Sequence, residues 1–97
     1  MSWAATALSD ADNVATVMRP VQAGEMIVVA VNGRTIEVTV LEPIALCHKI
    51  ALTDLMAGDP VMKYGECIGE AVATIRRGAW VHTHNLRSRR AQQQAKK

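Results

Sequence analysis

The sequence predicts a mainly β, small single-domain fold, and three observations carry that reading. Met26-Ile-Val-Val-Ala-Val31 and Arg34 to Leu41 flank Asn32-Gly33. Asn-Gly between two β-branched runs is the signature of a two-residue hairpin, because a type I′ turn needs positive φ twice. A second signal is a recurring Gly turn at Val21-Gln-Ala-Gly24, Leu55-Met-Ala-Gly58 and Ile75-Arg-Arg-Gly78, each followed by a strand start. The third is that no stretch of ten residues or more carries helical periodicity.

The elements follow in order. Met1 to Ala11 reads as a lead-in, 12–86 as the domain, and the basic Arg87 to Lys97 as a flexible tail. Val14 to Val17 is a first short strand. Met26 to Val31 is the second, and Arg34 to Leu41 the third. Along the third, Ile36, Val38 and Val40 face one way and Thr35, Glu37 and Thr39 the other. Pro43 ends it, since proline cannot donate to a ladder. His48 to Leu52 is a further short strand. Thr53 to Met56 fits one short helical turn, with Thr53 or Asp54 as its cap. Met62 to Tyr64, Ile68 to Ile75 and Trp80 to His84 complete the strands. The Gly turns recur at 34 and then 20 residues, so the chain is no solenoid. A highly bent, Gly-punctuated β fold fits instead.

Composition limits what the chain can do alone. A domain of 97 residues buries only about 60–65% of its unfolded surface. Aromatics are few: Trp3, Trp80 and Tyr64, with no Phe. A walled pocket of roughly 300 Å³ or more is hard to build from so little. A catalytic site would therefore lie at an interface with another chain. From Met1 to Leu86 there are six Lys or Arg against nine Asp or Glu, a net of −3, and the tail holds five Lys or Arg and no acid. A basic tail of this kind reads as a solvated terminus. The body has no basic stripe with interleaved aromatics, which argues against nucleic acid. No run approaches the ~20 apolar residues of a membrane span. Cys47 and Cys67 show no metal-ribbon spacing. Without a signal peptide they fit reduced thiols and a cytoplasmic location.

Three polar clusters interrupt the apolar pattern. The most informative is Trp80-Val-His82-Thr-His84-Asn85. On an extended strand His82 and His84 would project side by side, able to hold a divalent metal or move a proton. Cys47-His48-Lys49 adds a third imidazole, and Lys63-Tyr64-Gly65 a second lysine. Lys49 and Lys63 suit a carboxylate. Tyr64 suits an acid, a base or an oxyanion donor. Asn85 would orient a ligand or end the strand. Against each stands a plainer role: structural histidine, surface lysine, core tyrosine.

The order of the clusters carries a resemblance. His48-Lys49-Ile-Ala51, then Gly58-Asp-Pro-Val61-Met-Lys63-Tyr64-Gly65-Glu-Cys-Ile68-Gly69, then Val81-His82-Thr-His84-Asn85 resembles the small module of the altronate and galactarate dehydratase family. That module is of the SAF type, with a β-clip fold. Cys47 departs from the family, whose members typically carry Gly there. Split members of the family include the sulfolactate sulfo-lyase small subunit.

The resemblance implies a lyase subunit working by β-elimination. The proton on carbon 2 of a 2-hydroxy carboxylate leaves, and hydroxide, or sulfite in the sulfo-lyase, leaves carbon 3. It implies His48, His82 and His84 as catalytic residues. Lys49, Lys63, Tyr64 and Asn85 would bind substrate, and a divalent metal such as iron would sit at His82 and His84. The expected partners are a large catalytic subunit and a small hydroxy acid, with the heteromer itself able to oligomerise. Dehydration of a sugar acid such as altronate or galactarate is the leading expectation, and release of sulfite from sulfolactate the alternative. A non-enzymatic SAF-type binding module is the reading from another class. A small cupin-like metal protein is a further one, weakened because no carboxylate and fourth ligand follow at suitable spacing.

Overall fold

A computed structural model describes residues 3–88. Nine strands form two antiparallel-dominated sheets, and no helix occurs among the described residues. They are β1 (Ala5–Ala7), β2 (Val14–Val17), β3 (Met26–Val31), β4 (Arg34–Thr39), β5 (Lys49–Ala51), β6 (Pro60–Lys63), β7 (Glu66–Ala71), β8 (Trp80–Val81) and β9 (Leu86–Ser88). The larger sheet has the order β4-β3-β1-β2-β5-β8, and the smaller is β6-β7-β9.

The Asn32-Gly33 hairpin forms as predicted, with φ of 47° and 83°. Val31 pairs with Arg34 across it, and Met26 with Thr39 at the far end. Val38 and Val40 are buried beneath β4, while Thr35, Glu37 and Thr39 stay exposed.

The Gly recurrence proves to be one turn used four times. Its copies start at Val21, Ile44, Leu55 and Ile75, all buried. In each, the residue three positions on has positive φ: Gly24 at 89°, Cys47 at 72°, Gly58 at 93° and Gly78 at 90°. In each, that residue's N–H reaches the end of an earlier or neighbouring strand: Val40, Val17, Ala71 and Ala51 respectively, at 2.7–2.8 Å. The same four strand residues donate back to Glu25, His48, Asp59 and Ala79. The copies join in pairs, Val21 to Ile44 and Leu55 to Ile75, each by two reciprocal backbone bonds. Three copies were legible from their glycines; the second was not, because Cys47 stands where the others carry Gly.

Three expectations are corrected. Thr53 to Met56 makes no helical turn; Leu55 is taken up by its bridge to Ile75. The lead-in contains β1, which lies inside the larger sheet, antiparallel to β2 and parallel to β3. Ala5 and Ala7 are buried there. Past Leu86, Arg87 and Ser88 continue as β9 against β7. The rest of the predicted tail lies outside the described residues.

Alternation along β2 and β5 creates two cores. Ala15, Val17 and Ile50 face one, with Val29, Val38 and Ile44. Val14, Ala51 and Val81 face the other, with Val61, Leu55 and Ile75. The β2-β5-β8 end of the sheet is thus a partition with apolar packing on both sides, and β8 is its edge.

Candidate functional site

The site begins with register. Lys49 pairs with Val81 and Ile50 with Trp80. Continued by one residue, this antiparallel register sets His48 opposite His82. Such opposed residues are the closest cross-strand neighbours. The rings stack accordingly, with centroids 4.3 Å apart and planes 16° from parallel. Trp80, diagonal to His48, adds its indole to the same cluster at 5.7 Å from His48 and 5.4 Å from His82. Its Nε1–H donates to His48 Nδ1 at 2.9 Å.

The extended H-x-H strand is a further correction. β8 stops at Val81. His82 to Asn85 form a turn, in which Asn85 N and Leu86 N both donate to the His82 carbonyl. The Asn85 side chain closes that turn. Its Oδ1 accepts from His82 N and its Nδ2 donates to the Trp80 carbonyl, both at 2.9 Å. Asn85 thus shapes the loop that carries the histidines. His84 is exposed and leans on Trp80, centroids 4.6 Å apart and tilted by 39°. The partner brought to His82 is His48, from 34 residues earlier.

His82 is half-buried. Partial desolvation, with His48, Lys49 and His84 as neighbouring like charges, holds its imidazole below the ordinary value. A ring lowered from about 6.5 is neutral at pH 7.

The lysines occupy the other face of the partition. Lys49 shares its face with Thr16 and Val81, its partners in register. Burial and the nearby charge of Lys63 lower its pKa. Neither lysine forms an ion pair with a described residue.

Tyr64 is not a core residue; it is 41% exposed. Tyr64 and Gly65 are the two turn residues of the β6-β7 hairpin, with φ of 54° and 80°. A bulky residue at positive φ is uncommon and costs roughly 1–2 kcal/mol. The surroundings hold it there. Tyr64 Oη donates to Thr16 Oγ1 at 3.0 Å, and Lys63 Nζ lies 5.1 Å from the ring centroid.

Asp12 and Asn13 are positioning residues that side-chain chemistry alone does not single out. Asp12, 8% exposed, accepts backbone N–H groups from Leu8, Ser9 and Gly65. Burial pushes its pKa up, but the backbone hydrogen bonds outweigh that and hold it below the ordinary carboxyl value. Asn13 exchanges side-chain and backbone bonds with Pro60 and Met62. Together they dock the Lys63-Tyr64-Gly65 hairpin onto β2. An Asp-Asn pair just before a strand was the available signal.

The imidazoles do not fit a metal centre closed within this chain. A ligating nitrogen points its lone pair in the ring plane at an ion about 2.0–2.1 Å away. Near-parallel rings 4.3 Å apart cannot aim two such lone pairs at one ion, and His48 Nδ1 is already taken by Trp80. Among the described residues no group of three His, Cys, Asp or Glu is arranged to hold one. Cys47 and Cys67 are free thiols.

Fold and site together define a small SAF-like module, built of strands over the described residues, with a stacked imidazole pair at the β8 edge and Lys49 on the opposite face of the same strands. The pattern described as the altronate/galactarate dehydratase SAF domain matches residues 3–89. The chain belongs to that family. It is 38% identical over 85 residues to the (2R)-sulfolactate sulfo-lyase subunit alpha of Chromohalobacter salexigens, covering 84% of this chain and 90% of that one. It is 41% identical over 63 residues to the subunit alpha of Paracoccus pantotrophus, covering 65% of this chain and 94% of that one. Against the altronate dehydratase of Escherichia coli K12 it is 43% identical over 77 residues, covering 79% of this chain but 15% of that enzyme. Its relatives are lyases and dehydratases, so this is a lyase-family protein. No helix among the described residues is long and apolar enough to cross a membrane.

Proposed function

We propose that this chain is the small subunit of a two-chain cytoplasmic lyase that eliminates water from a sugar acid such as altronate or galactarate. The observation that carries the proposal is the His48–His82 stack at the β8 edge, with Lys49, under the charge of Lys63, on the other face of the same strand pair. β-Elimination from a 2-hydroxy carboxylate needs a base for the carbon-2 proton and positive charge for the substrate carboxylate and developing enediolate. His82, neutral at pH 7, is the base. Lys49 and Lys63 draw the carboxylate, and His48 donates a hydrogen bond to a substrate oxygen. His84, at the exposed end of the turn, faces the partner. The carbon-3 oxygen leaves as water, taking up the proton that His82 removed from carbon 2. Tyr64 is placed beside Lys63 to contact the substrate, and Asn85 holds the histidine loop in shape.

A large partner subunit supplies the other wall. The cluster lies at β8, the edge strand of the larger sheet. A divalent metal in the assembled site would draw its ligands chiefly from that partner. The free thiols of Cys47 and Cys67 accord with a reducing compartment. A second reading is release of sulfite from sulfolactate. It is favoured by the match to two sulfo-lyase alpha subunits over 90% and 94% of their own lengths.

Both readings are tested by co-expressing the chain with a large family subunit and assaying altronate, galactarate and sulfolactate. Turnover of a sugar acid supports the first and sulfite release the second. Full activity by this chain alone would overturn the two-subunit reading.

A further inference from the structure

Trp80 is anchored more firmly than packing alone requires. Its backbone N–H donates to Glu42 Oε2 at 3.0 Å, and its carbonyl accepts from Asn85 Nδ2 at 2.9 Å. Its ring packs against the first core. What this immobilised indole presents to the site is one N–H, 2.9 Å from His48 Nδ1. An indole nitrogen can only donate. His48 Nδ1 must therefore be the acceptor and carry no proton. In a neutral imidazole the proton then sits on Nε2. Protonating Nδ1, or placing a metal on it, would forfeit the bond.

We propose that Trp80 is a positioning residue whose N–H fixes His48 in the Nε2-protonated tautomer and holds it face to face with His82. This deepens the proposed function and rests on it for its catalytic meaning. The stack then offers two imidazoles with different duties. His48 presents a fixed Nε2–H donor, suited to a carboxylate or hydroxyl oxygen of a hydroxy acid. His82 remains free to accept a proton. Without the indole N–H, His48 could adopt either tautomer, and the fraction protonated on Nδ1 would turn a bare nitrogen toward the substrate oxygen. That arrangement repels an oxygen lone pair.

The test is long-range proton–nitrogen NMR on the ¹⁵N-histidine-labelled full chain at pH 7.5. His48 is expected to show a protonated Nε2 and an unprotonated Nδ1. The Trp80→Phe variant keeps an aromatic ring in the stack and loses the N–H; its His48 is expected to show a mixture of tautomers. Trp80→Tyr serves as the second variant if Phe perturbs folding, and amide spectra report on the fold of each. A wild-type His48 protonated on Nδ1 would overturn the proposal. So would a folded Trp80→Phe protein with the wild-type tautomer. In the assembled enzyme, Trp80→Phe is expected to lower kcat about tenfold with KM little changed. If the tautomer is as stated but no elimination occurs with any of the three acids, the proposed function fails and the tautomer assignment stands.

Discussion

His48 and His82 face each other across the β5-β8 pair, their rings 4.3 Å apart and close to parallel. The contact follows from register: the Lys49–Val81 and Ile50–Trp80 pairs set it one residue further on. Neither histidine could be moved by one position without leaving this face, because a one-residue slip turns a side chain to the other side of the sheet.

The first prediction concerns pH. His82 is held below its ordinary value by desolvation and by its charged neighbours. It stays neutral through pH 7, so kcat/KM for elimination should be flat near neutrality. It should fall on the acid side only below about 6.5, the unperturbed value. The sign for stability is the same. The unfolded chain takes up this proton first, so the fold loses stability as pH falls below about 6.5. A pH–rate profile checks the first statement, and thermal melts of wild type and His82→Gln between pH 5 and 8 check the second.

The lysine pair gives a second prediction. Burial first, and Lys63 second, lower the Lys49 pKa. Lys63→Met removes the like charge, so Lys49 should titrate higher, nearer the ordinary lysine range. Carbon-13 NMR of the lysine ε-carbons reads this directly. The same variant should weaken carboxylate binding and raise KM severalfold.

The four-copy turn makes a third. Cys47 occupies a position that Gly24, Gly58 and Gly78 fill in the other copies, at a φ of 72°. A non-glycine residue there costs roughly 1–2 kcal/mol, against about 0.5–1 kcal/mol of extra unfolded-state freedom for glycine. Cys47→Gly should therefore gain on the order of 0.5–1 kcal/mol, a few degrees in Tm. Gly78→Ala should do the opposite and severely. Its φ is +90°, and an added Cβ would clash with the Thr39 carbonyl oxygen. Thermal melts of the two variants decide it.

The hairpin dock supplies a fourth. Asp12→Ala leaves the Leu8, Ser9 and Gly65 N–H groups without their acceptor. Losing a buried, charge-assisted acceptor costs about 1–3 kcal/mol. The Asp12 pKa is depressed in the fold, so its contribution is present above the usual carboxyl value, about 3.9, and is lost as pH falls through the lower folded value. Acid unfolding of wild type and Asp12→Ala should converge at low pH.

Much of this was legible in the sequence, and the gaps have physical causes. The Asn32-Gly33 hairpin and the Ile36-Val38-Val40 face were plain, because turn chemistry and alternation are local. β1 was not, since Ala5 and Ala7 have little strand preference of their own and are strands because two neighbours pair with them. The three polar clusters were visible as residue types. Their arrangement was not, because it depends on pairing between positions 34 residues apart. The sequence pattern paired His82 with His84 along one strand. The chain turns after Val81, and His82 finds His48 instead. Tyr64 read as a substrate-binding residue with a core role as the plainer alternative; a positive φ in a two-residue turn goes with its exposure and rules out the core role.

The most direct test of the account is the turnover of the assembled two-subunit enzyme carrying His82→Gln, which removes the base while leaving a polar side chain in the turn. The account predicts that kcat falls by about 10²–10⁴-fold, that KM changes little, and that the acid limb of the pH profile disappears. Wild-type turnover with an unchanged profile would contradict it.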